Sequence, residues 1–441
     1  MNFFSLVITT LTVLVASILF DWWYFLKLRT KRLPPGPTPW PIVGTIPDLV
    51  KHGGTVGKLS QSLQAKYGKI LTVWLGKKPM IFVNDPELAY DALVKQGAYF
   101  SNRVKLSSFR DITCGWRVLS TGEGPWTVAL RKNIITHMLG PARLKAFKPL
   151  RDRAYEDIVN EVKSLAAAAE DGVAQVNLGA VVYGRVSRFV LGLTFGVELE
   201  ENLMQEIIEL SRERFLLAFK FSLGDYVSFM RIFELAKEFP DLNDSVLTSL
   251  CAEFLNAAVH STSLTIDSTM TLVCEHPEVN EKLYREIEAV VGKRAVDESD
   301  LPQLPYLSAV IKESLRVKSP GPTTLTHATS ELRKLGGYDI PTDAMVLFGL
   351  ESFHYDPAHW PEPSVFNPER FLENDLDVLG KQTFNYLPFS AGRRACPGSQ
   401  LAMLELSAAV ARLVQNFEWQ KVPNAKNTGI GTEFRARPRS V

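Results

Sequence analysis

One cysteine near the C-terminal end of the chain lies where a thiolate could bind iron. Cys396 belongs to the glycine-bounded loop Phe389-Ser-Ala-Gly-Arg-Arg-Ala-Cys-Pro-Gly398, which precedes a predicted helix. Helix N-terminal amides and the two upstream arginines lower a thiol's pKa, so we predict a thiolate whose charge is stabilised by backbone donors. The two glycines would let the loop approach a flat macrocycle closely. A lone cysteine is more often a buried structural residue, but the spacing of this loop favours a metal ligand.

A glutamate and an arginine three residues apart form the second candidate group. Glu313 and Arg316 share one face of a predicted helix. In isolation they would be an ordinary surface ion pair that adds little to stability. A third charged residue, Arg370, lies in the sequence Pro368-Glu-Arg-Phe371. These three residues become informative only in combination with the cysteine loop.

The composition is that of a globular chain with a large apolar core. Its 441 residues are 46% hydrophobic and 22% charged, and 49 basic residues balance 48 acidic ones to a net charge of +1. That balance removes the electrostatic argument for a nucleic-acid partner. The four cysteines lie far apart without a C-x-x-C pair, which argues against a disulfide framework or a structural zinc site.

Hydrophobic periodicity predicts a mainly helical fold with small β-sheets. Leu71–Trp74 and Met80–Val83 are predicted to form a hairpin. The predicted helices are Ala142–Ala168, Val186–Leu193, Glu201–Phe219, Val246–Leu272 and Gln400–Phe417, and further strands are expected at Thr323–Thr326 and Ala344–Phe348. Prolines between residues 356 and 368 predict an irregular segment, which usually serves a site.

The N-terminus carries the pattern of a membrane anchor. Phe3–Phe20 has no charged residue and is long enough, as a helix, for most of the hydrocarbon core. An interfacial aromatic cluster follows at residues 22–24, and basic residues after it predict that the body faces the cytosol. We predict a single-pass anchor over residues 1–26, a basic and proline-rich hinge over 27–40 and the body over 41–441. A cleaved signal peptide is the alternative, but no basic region precedes the apolar run.

The cysteine loop resembles the haem-binding signature of the cytochrome P450 family. That signature, F-x-x-G-x-R-x-C-x-G, is matched by Phe389, Gly392, Arg394, Cys396 and Gly398. The sequence from Glu313 to Arg316 is similar to the family's E-x-x-R, and the sequence around Arg370 to its P-E-R-F, whose arginine the family buries in a triad with that pair. The resemblance covers nearly the whole chain in the family's order.

The finer resemblance is to plant-type microsomal members, and among these to fatty-acid hydroxylases and epoxidases. It rests on Pro34–Pro37, on Gly337–Pro341 and on the stretch from Leu325 to His327. An apolar run at residues 215–221 would suit a lipid-like ligand, although such a run also suits a plain core.

The resemblance implies a single large domain of the cytochrome P450 fold with haem, iron protoporphyrin IX, as its cofactor. Cys396 is implied as the axial ligand of the iron. The other residues implied at the cofactor are Arg394, Arg131, His327, Phe389 and Gly398, and Glu313, Arg316 and Arg370 are implied as a structural triad. The implied activity is a monooxygenase that inserts one oxygen atom from O2 into an apolar, fatty-acid-like molecule.

The resemblance also implies partners and a location. Electrons would come from NADPH through NADPH-cytochrome P450 reductase. The protein would contact membrane lipid at the endoplasmic reticulum, with its catalytic domain in the cytosol, and no nucleic acid is expected.

The central helix departs from the family's pattern of an acid followed by an alcohol. Counting back from His276 keeps the family's register, so His260 stands in the place of the acid and Ser261 in that of the alcohol, with Thr262 next to it. An imidazole with an ordinary pKa of about 6.5 can carry a proton at neutral pH, so these three are the predicted catalytic residues. A structural role for a lone helical histidine is about as common.

A second departure concerns the helix that carries Arg131. Trp126 precedes that arginine by five residues rather than the family's four, which turns it about 140° away from the arginine's face. We therefore expect Arg131 near the haem and an ordinary core or surface role for Trp126.

The chain is shorter than its family in two places. The stretch from Trp126 to Ala257 is several dozen residues short, with the loss near Phe229–Asp244, and the closing hairpin after Phe417 is expected to be cut to a few residues. Much of the roof over a substrate site would then be missing. A haem-binding pseudoenzyme and a peroxide-using isomerase or dehydratase of the same fold are therefore the alternatives to the monooxygenase.

Overall fold

Helices of the fold pack around one long central helix. The computed structural model describes residues 8–9, 12–13, 15–20, 22–23, 26, 32–52, 56–106, 113, 115–196, 199–218, 246–380, 383–422 and 431–439. The helices are α1 (Ile46–Lys51), α2 (Val56–Tyr67), α3 (Pro86–Tyr90), α4 (Gly124–Asn133), α5 (Pro141–Ala146), α6 (Lys148–Ala168), α7 (Leu178–Phe195), α8 (Glu201–Ala218), α9 (Val246–Glu275), α10 (Pro277–Val291), α11 (Pro305–Val317), α12 (Leu350–His354), α13 (Glu369–Glu373) and α14 (Ser399–Asn416). Single helical turns of other types lie at Asp91–Lys95, Ile134–Met138, Glu298–Gln303 and Gly392–Arg394.

The strands are β1 (Ile70–Leu75), β2 (Lys78–Val83), β3 (Ala174–Asn177), β4 (Arg333–Leu335), β5 (Tyr338–Ile340), β6 (Met345–Phe348), β7 (Phe417–Lys421) and β8 (Glu433–Pro438). β1 and β2 form an antiparallel hairpin, and β6 adds to β2 in parallel, with Met80 opposite Met345. β3, β8 and β7 lie in that order in an antiparallel sheet, and β4 pairs with β5. Every residue of β1 is buried, as expected for a strand covered on both faces.

The central helix α9 is held by apolar contacts on several sides. Val182 and Val186 of α7 share one buried cluster with Val259 and Ile266 of α9 and with Val410 of α14. Each of these side chains is at least 97% removed from solvent. Burial of an aliphatic side chain of this size contributes roughly 1.5 to 3 kcal/mol, so this packing fixes the position of α9.

The structure confirms the mainly helical fold with small sheets, the hairpin of β1 and β2, and the strand β6. Two elements differ from their predictions. The helix predicted over Ala142–Ala168 ends and restarts at Phe147. Pro149 in the first turn of α6 has no N–H to continue a helix from α5, so a new helix must begin there. The strand predicted at Thr323–Thr326 is absent from the described residues. The carbonyls of Leu325 and Thr326 accept hydrogen bonds from the side chain of Arg103 and not from a neighbouring strand.

The C-terminal part contains two paired strands. β7 and β8 pair over five positions from Phe417–Pro438 to Lys421–Phe434, and β8 also pairs with β3. Asp267 of α9 accepts hydrogen bonds of 2.9 Å from both the backbone N–H and the hydroxyl of Thr432. Residues 423–430 between these strands lie outside the described part of the chain, so the expected cut of the closing hairpin to a few residues stays a prediction.

Several sequence predictions fall on residues outside the described part of the chain. These are part of the anchor Phe3–Phe20, the shortened region Phe229–Asp244, Cys114 and the side chains of the apolar run 215–221. Among the described residues, α7 alone is long and apolar enough to cross a membrane, and half of it is buried inside the fold.

The predicted triad fastens the irregular segment after α12 to α11. Glu313 and Arg316 are completely buried and form two N–O contacts of 2.7 Å. Arg316 also donates to the carbonyls of His354 and Pro363. Arg370 approaches Glu313 at 3.5 Å. The pair is therefore a buried anchor for the irregular segment and differs from the surface pair that its spacing alone would suggest.

We expect Arg316→Ala to destabilise the fold by about 3 to 5 kcal/mol, because it leaves the carboxylate of Glu313 buried without its partner. Arg370→Ala should cost less, since its contact is longer. Urea unfolding of the haem-loaded protein measures both. Arg285→Ala, which removes an exposed ion pair with Glu281, is the matched control. An Arg316→Ala protein as stable as the control would contradict the anchoring role.

Candidate functional site

The Cys396 loop folds through a tight turn that only glycine can form. Gly392 has a φ of +69°, and a Cβ at this position would lie 2.1 Å from the carbonyl oxygen of Leu93. The Cys396 N–H donates to the carbonyl of Phe389 at 2.8 Å, which closes the loop. A Cβ at Gly398 would meet only the sulfur, at 4.0 Å. The loop therefore presents the sulfur beside an open surface.

The electrostatics of Cys396 differ from the prediction. The residue is open to solvent on one side, but protein surrounds the sulfur on the others. This desolvation raises the pKa of the thiol, while the Gly398 N–H and the charge of Arg131 oppose it only in part. The prediction that the protein alone favours the thiolate is therefore wrong. Coordination by a metal ion deprotonates a thiol outright, so ligation would provide the thiolate.

Two of the arginines predicted at the cofactor lie at this loop. Arg394 donates to the carbonyls of Ser101 at 2.8 Å and of Leu119 at 3.0 Å, and a further bond goes to Gly122. Arg131 of α4 donates to the carbonyl of Ala395, next to the cysteine. Burial lowers the pKa of both guanidinium groups.

A third arginine, Arg103, completes this cluster and was not predicted from the sequence. It donates to the carbonyls of Ser120, Leu325 and Thr326. Burial and the charges of Arg394 and Arg131 lower its pKa to about 9. No local pattern marks Arg103, because its neighbours in the cluster come from distant parts of the sequence.

The cluster of Arg103, Arg131 and Arg394 is only partly neutralised by the carboxylates near it. Glu253 of α9 accepts bonds of 2.7 Å from the N–H groups of Leu119 and Ser120, and burial raises its pKa. Glu123 also forms an ion pair with Lys105, with 3.2 Å between Nζ of the lysine and a carboxylate oxygen, so its charge is not available to the cluster alone. The cluster therefore keeps a surplus of positive charge in a poorly solvated place, which suits an anionic ligand.

The predicted role of His327 as a donor to the cofactor depends on the charge of its ring. Its Nδ1 lies 2.8 Å from the carbonyl of Phe100, which can only accept, so Nδ1 carries the proton. Burial and the charge of Arg103 hold the pKa of His327 well below its usual value. The neutral ring directs its one N–H at Phe100, so donation to the cofactor would need the charged ring, and this role of His327 stays a prediction. Arg103 lies close enough to oppose a charge on His327 and is itself a candidate for the cofactor's carboxylates.

These features fit haem. A single cysteine on an exposed, glycine-bounded loop suits an iron macrocycle, and the surplus of guanidinium groups suits its carboxylates. Cys396 would ligate the iron, and Arg103, Arg131 and Arg394 would bind the carboxylates. Among the residues that the structure describes, no group of three or more His, Cys, Asp or Glu side chains could hold a metal ion instead. Phe389 packs under the loop against the main core.

The predicted catalytic hydroxyls of α9 lie on different sides of the helix. Ser261 is exposed, in line with Ala257 and Leu264, and its hydroxyl donates to the carbonyl of Ala257 at 2.7 Å. Thr262 is buried, and its hydroxyl lies 3.5 Å from a carboxyl oxygen of Glu405 on α14. Only Ser261 therefore lies on the open side of α9.

Glu405 is the most perturbed carboxyl group near this helix. Complete burial raises its pKa to about 8, the charge of Glu298 adds to the shift, and Arg151 and Thr262 oppose it. Arg151 forms two bonds of 2.7 Å with Glu298 and leaves Glu405 without a salt bridge of its own among the described residues. The carboxyl of Glu405 is therefore mostly protonated at pH 7.

His260 lies against another helix. Its Nε2 is 3.3 Å from the hydroxyl of Tyr183 on α7. Burial and the charge of Arg212 lower its pKa to about 4. The predicted ordinary pKa is therefore wrong, and the ring is neutral at pH 7. Trp126, in contrast, is exposed and donates from its ring to the carbonyl of Arg117, which agrees with the surface role expected for it.

Comparisons with known proteins find relatives over nearly the whole chain. The sequence profile described as Cytochrome P450 matches residues 34–237 and 201–433. The chain is similar to Cytochrome P450 89A9 of Arabidopsis thaliana, with 31% identity over 94% of this chain and 93% of the relative. It is 28% identical to Isoflavone 2'-hydroxylase of Medicago truncatula, over 91% and 89%. A structure of a zebra fish cytochrome P450 with abiraterone superposes with a TM-score of 0.72 at 22% identity, covering 88% of this chain and 100% of that one, and shows the same fold.

Glu405 should make the stability of the protein depend on pH. In the folded chain its pKa is about 8, against an ordinary value of 4.5, so between these values only the folded state holds the proton. Stability is therefore fully present below about pH 4.5 and falls as pH rises to about 8, by on the order of 4 to 5 kcal/mol.

Glu405→Gln should remove this part of the pH dependence. Urea unfolding at several pH values between 5 and 8.5 measures it, with the exposed Glu281→Gln as control. Parallel stability curves for the parent and Glu405→Gln would show that the carboxyl is not protonated in the fold.

Proposed function

The chain belongs to the cytochrome P450 family, and we propose that it inserts one oxygen atom from O2 into an apolar small molecule. It is a haem-dependent oxidoreductase, as the family match over most of the chain establishes. The observation that carries the proposal is the accessible sulfur of Cys396 next to the partly neutralised cluster of Arg103, Arg131 and Arg394.

Each part of this site has a separate task. Haem, when bound, supplies the activation of dioxygen and the transfer of the oxygen atom. Cys396 holds the iron, and the arginine cluster fixes the orientation of the macrocycle through its carboxylates. The exposed side of α9, with Ala257, Ser261 and Leu264, offers one hydroxyl among apolar groups, which suits an apolar substrate.

The proposed electron source is NADPH through NADPH-cytochrome P450 reductase, at the membrane of the endoplasmic reticulum. An anchor over residues 1–26 and a hinge over 27–40 would hold the body, residues 41–441, at that membrane. The ring of Trp22 donates to the carbonyl of Pro39 at 3.0 Å, which supports a short link between anchor and body. Trp40 beside it is 60% exposed, a suitable interfacial side chain.

The substrate class is proposed from the apolar lining alone. The earlier expectation of a fatty-acid-like substrate rested partly on the run 215–221, whose side chains lie outside the described residues. One relative is named for 2'-hydroxylation of an isoflavone, an aromatic molecule. Assays should therefore include a long-chain fatty acid and a flat phenolic compound.

Cys396→Ala should abolish the thiolate-type Soret band of the reduced, carbon monoxide-bound protein, because it removes the ligand sulfur. Cys251→Ala removes another free cysteine and should leave the band unchanged. An unchanged band in Cys396→Ala would refute the ligand assignment.

Turnover with reductase and NADPH then separates the proposed function from its alternatives. A monooxygenase forms oxygenated product with consumption of NADPH. Product that forms only with added peroxide would indicate the peroxide-using isomerase or dehydratase. Haem binding without any product from the substrate panel would favour the pseudoenzyme.

A further inference from the structure

Glu253 of α9 lies against the backbone of the Leu119–Gly122 segment, which precedes α4. One carboxyl oxygen accepts a hydrogen bond of 2.7 Å from the N–H of Leu119, and the other accepts one of 2.7 Å from the N–H of Ser120. Burial raises the pKa of Glu253, and hydrogen bonds from Ser120 and Leu119 and the charge of Arg394 oppose the rise. Because both oxygens accept, the geometry favours the ionised carboxylate.

The carbonyl groups of this segment bind two of the three clustered arginines. The carbonyls of Leu119 and Gly122 accept hydrogen bonds from Arg394. The carbonyl of Ser120 accepts one of 2.9 Å from Nε of Arg103. The segment therefore bonds through its N–H groups to the carboxylate on α9 and through its carbonyls to the two guanidinium groups.

The segment is a compact turn. The N–H of Gly122 donates to the carbonyl of Val118 at 2.8 Å and closes it. A Cβ at Gly122 would lie 2.3 Å from the hydroxyl oxygen of Thr127 and 2.7 Å from the carbonyl oxygen of Val118, so the turn leaves no room for a side chain there. In a turn as tight as this, a shift of the N–H groups also moves the carbonyls.

We propose that Glu253 is a positioning residue of the cofactor site: it holds the Leu119–Gly122 segment to α9 and thereby fixes Arg103 and Arg394 where they bind the carboxylates of haem. The inference rests on the proposed function, which uses haem at this site. A carboxylate that acted only as a counterion would weaken the attraction between the cluster and an anionic ligand. A positioning carboxylate strengthens it, so the sign of the effect separates the two roles.

The first test times the loss of cofactor without any turnover. The full-length protein, loaded with haem or with its dimethyl ester, is mixed with excess apomyoglobin, and the ester-to-haem ratio of the two loss rates reports the contact with the carboxylates. Glu253→Gln leaves one oxygen for the two N–H groups, and Glu253→Asp keeps the charge but is shorter by one carbon–carbon bond. We expect both to lower the ratio about tenfold by speeding the loss of haem, as for one charge-assisted hydrogen bond. Glu275→Gln, an exposed carboxylate at the end of α9, is the matched control and should leave the ratio unchanged.

Other roles of Glu253 give different results. If it were only a counterion, Glu253→Asp would match the parent and Glu253→Gln would slow the loss of haem, because the cluster would become more positive. If it served only the packing of the fold, haem and ester would be lost faster by the same factor. Either result, or equal loss of haem and ester from the parent, would overturn the proposal.

A milder variant covers the case in which the Glu253 variants do not fold. The side chain of Ser120 also hydrogen-bonds to Glu253, so Ser120→Ala removes one donor and keeps both N–H groups. The ester-to-haem ratio should fall about twofold or more, as for one neutral hydrogen bond. A ratio equal to that of the parent would count against the proposal.

A double-mutant cycle tests the route through Arg394. In an Arg394→Gln background, Glu253→Gln should lower the ratio by a smaller factor than in the parent, because one of the two guanidinium groups that it positions is gone. Equal factors in both backgrounds would contradict this route.

Product formation with reductase and NADPH is measured separately. If the parent forms no product, the monooxygenase proposal fails, and the loss rates still decide the role of Glu253. If product forms and the ratio does not respond to Glu253→Gln, the inference fails alone.

Discussion

Three poorly solvated guanidinium groups, of which Arg103 is buried and Arg131 and Arg394 are half-buried, are the constraint on which the rest of the site at Cys396 depends. Burial lowers the pKa of Arg103, Arg131 and Arg394. The charges of Arg394 and Arg131 lower that of Arg103 further, the charge of Arg131 lowers that of Arg394, and the nearby carboxylates neutralise the three groups only in part. Burying unpaired charge is costly. The guanidinium groups use backbone carbonyls of several distant segments as partial compensation, and so they hold the loops around Cys396 together. The carboxylates of an anionic cofactor would neutralise the positive charge that these carbonyls compensate only in part.

The central helix α9 links this cluster to the remainder of the fold. Near the start of α9, Glu253 accepts a hydrogen bond from the backbone N–H of Leu119. Farther along, His260 lies within hydrogen-bond distance of Tyr183 on α7. Asp267 accepts a hydrogen bond from the backbone N–H of Thr432, just before strand β8. Because these partners come from separate parts of the chain, a displacement of α9 would disturb the arginine cluster, the ring pair and the sheet together. This explains why one helix carries so many polar residues in an otherwise apolar core.

The sequence was sufficient where function depends on residues close together in the chain. The Cys396 loop and the pair of Glu313 and Arg316 could be found because their spacing is local. Arg103 could not, because only the folded chain brings it to Arg394. The pKa of His260 could not be predicted either, since it depends on burial and on Arg212 of another helix. The break at Phe147 had a local signal, Pro149, that periodicity alone does not register.

The most direct measurement of the central claim compares haem with its dimethyl ester, which lacks both negative charges, for binding to the haem-free protein. Charge-assisted hydrogen bonds contribute about 1.5 to 3 kcal/mol each, so the ester should bind at least about 100-fold more weakly. The difference should shrink in Arg103→Gln, and Arg143→Gln on the exposed surface of α5 should preserve it. Equal affinity of the parent for haem and its ester would contradict the account, because the arginine cluster would then not bind the carboxylates.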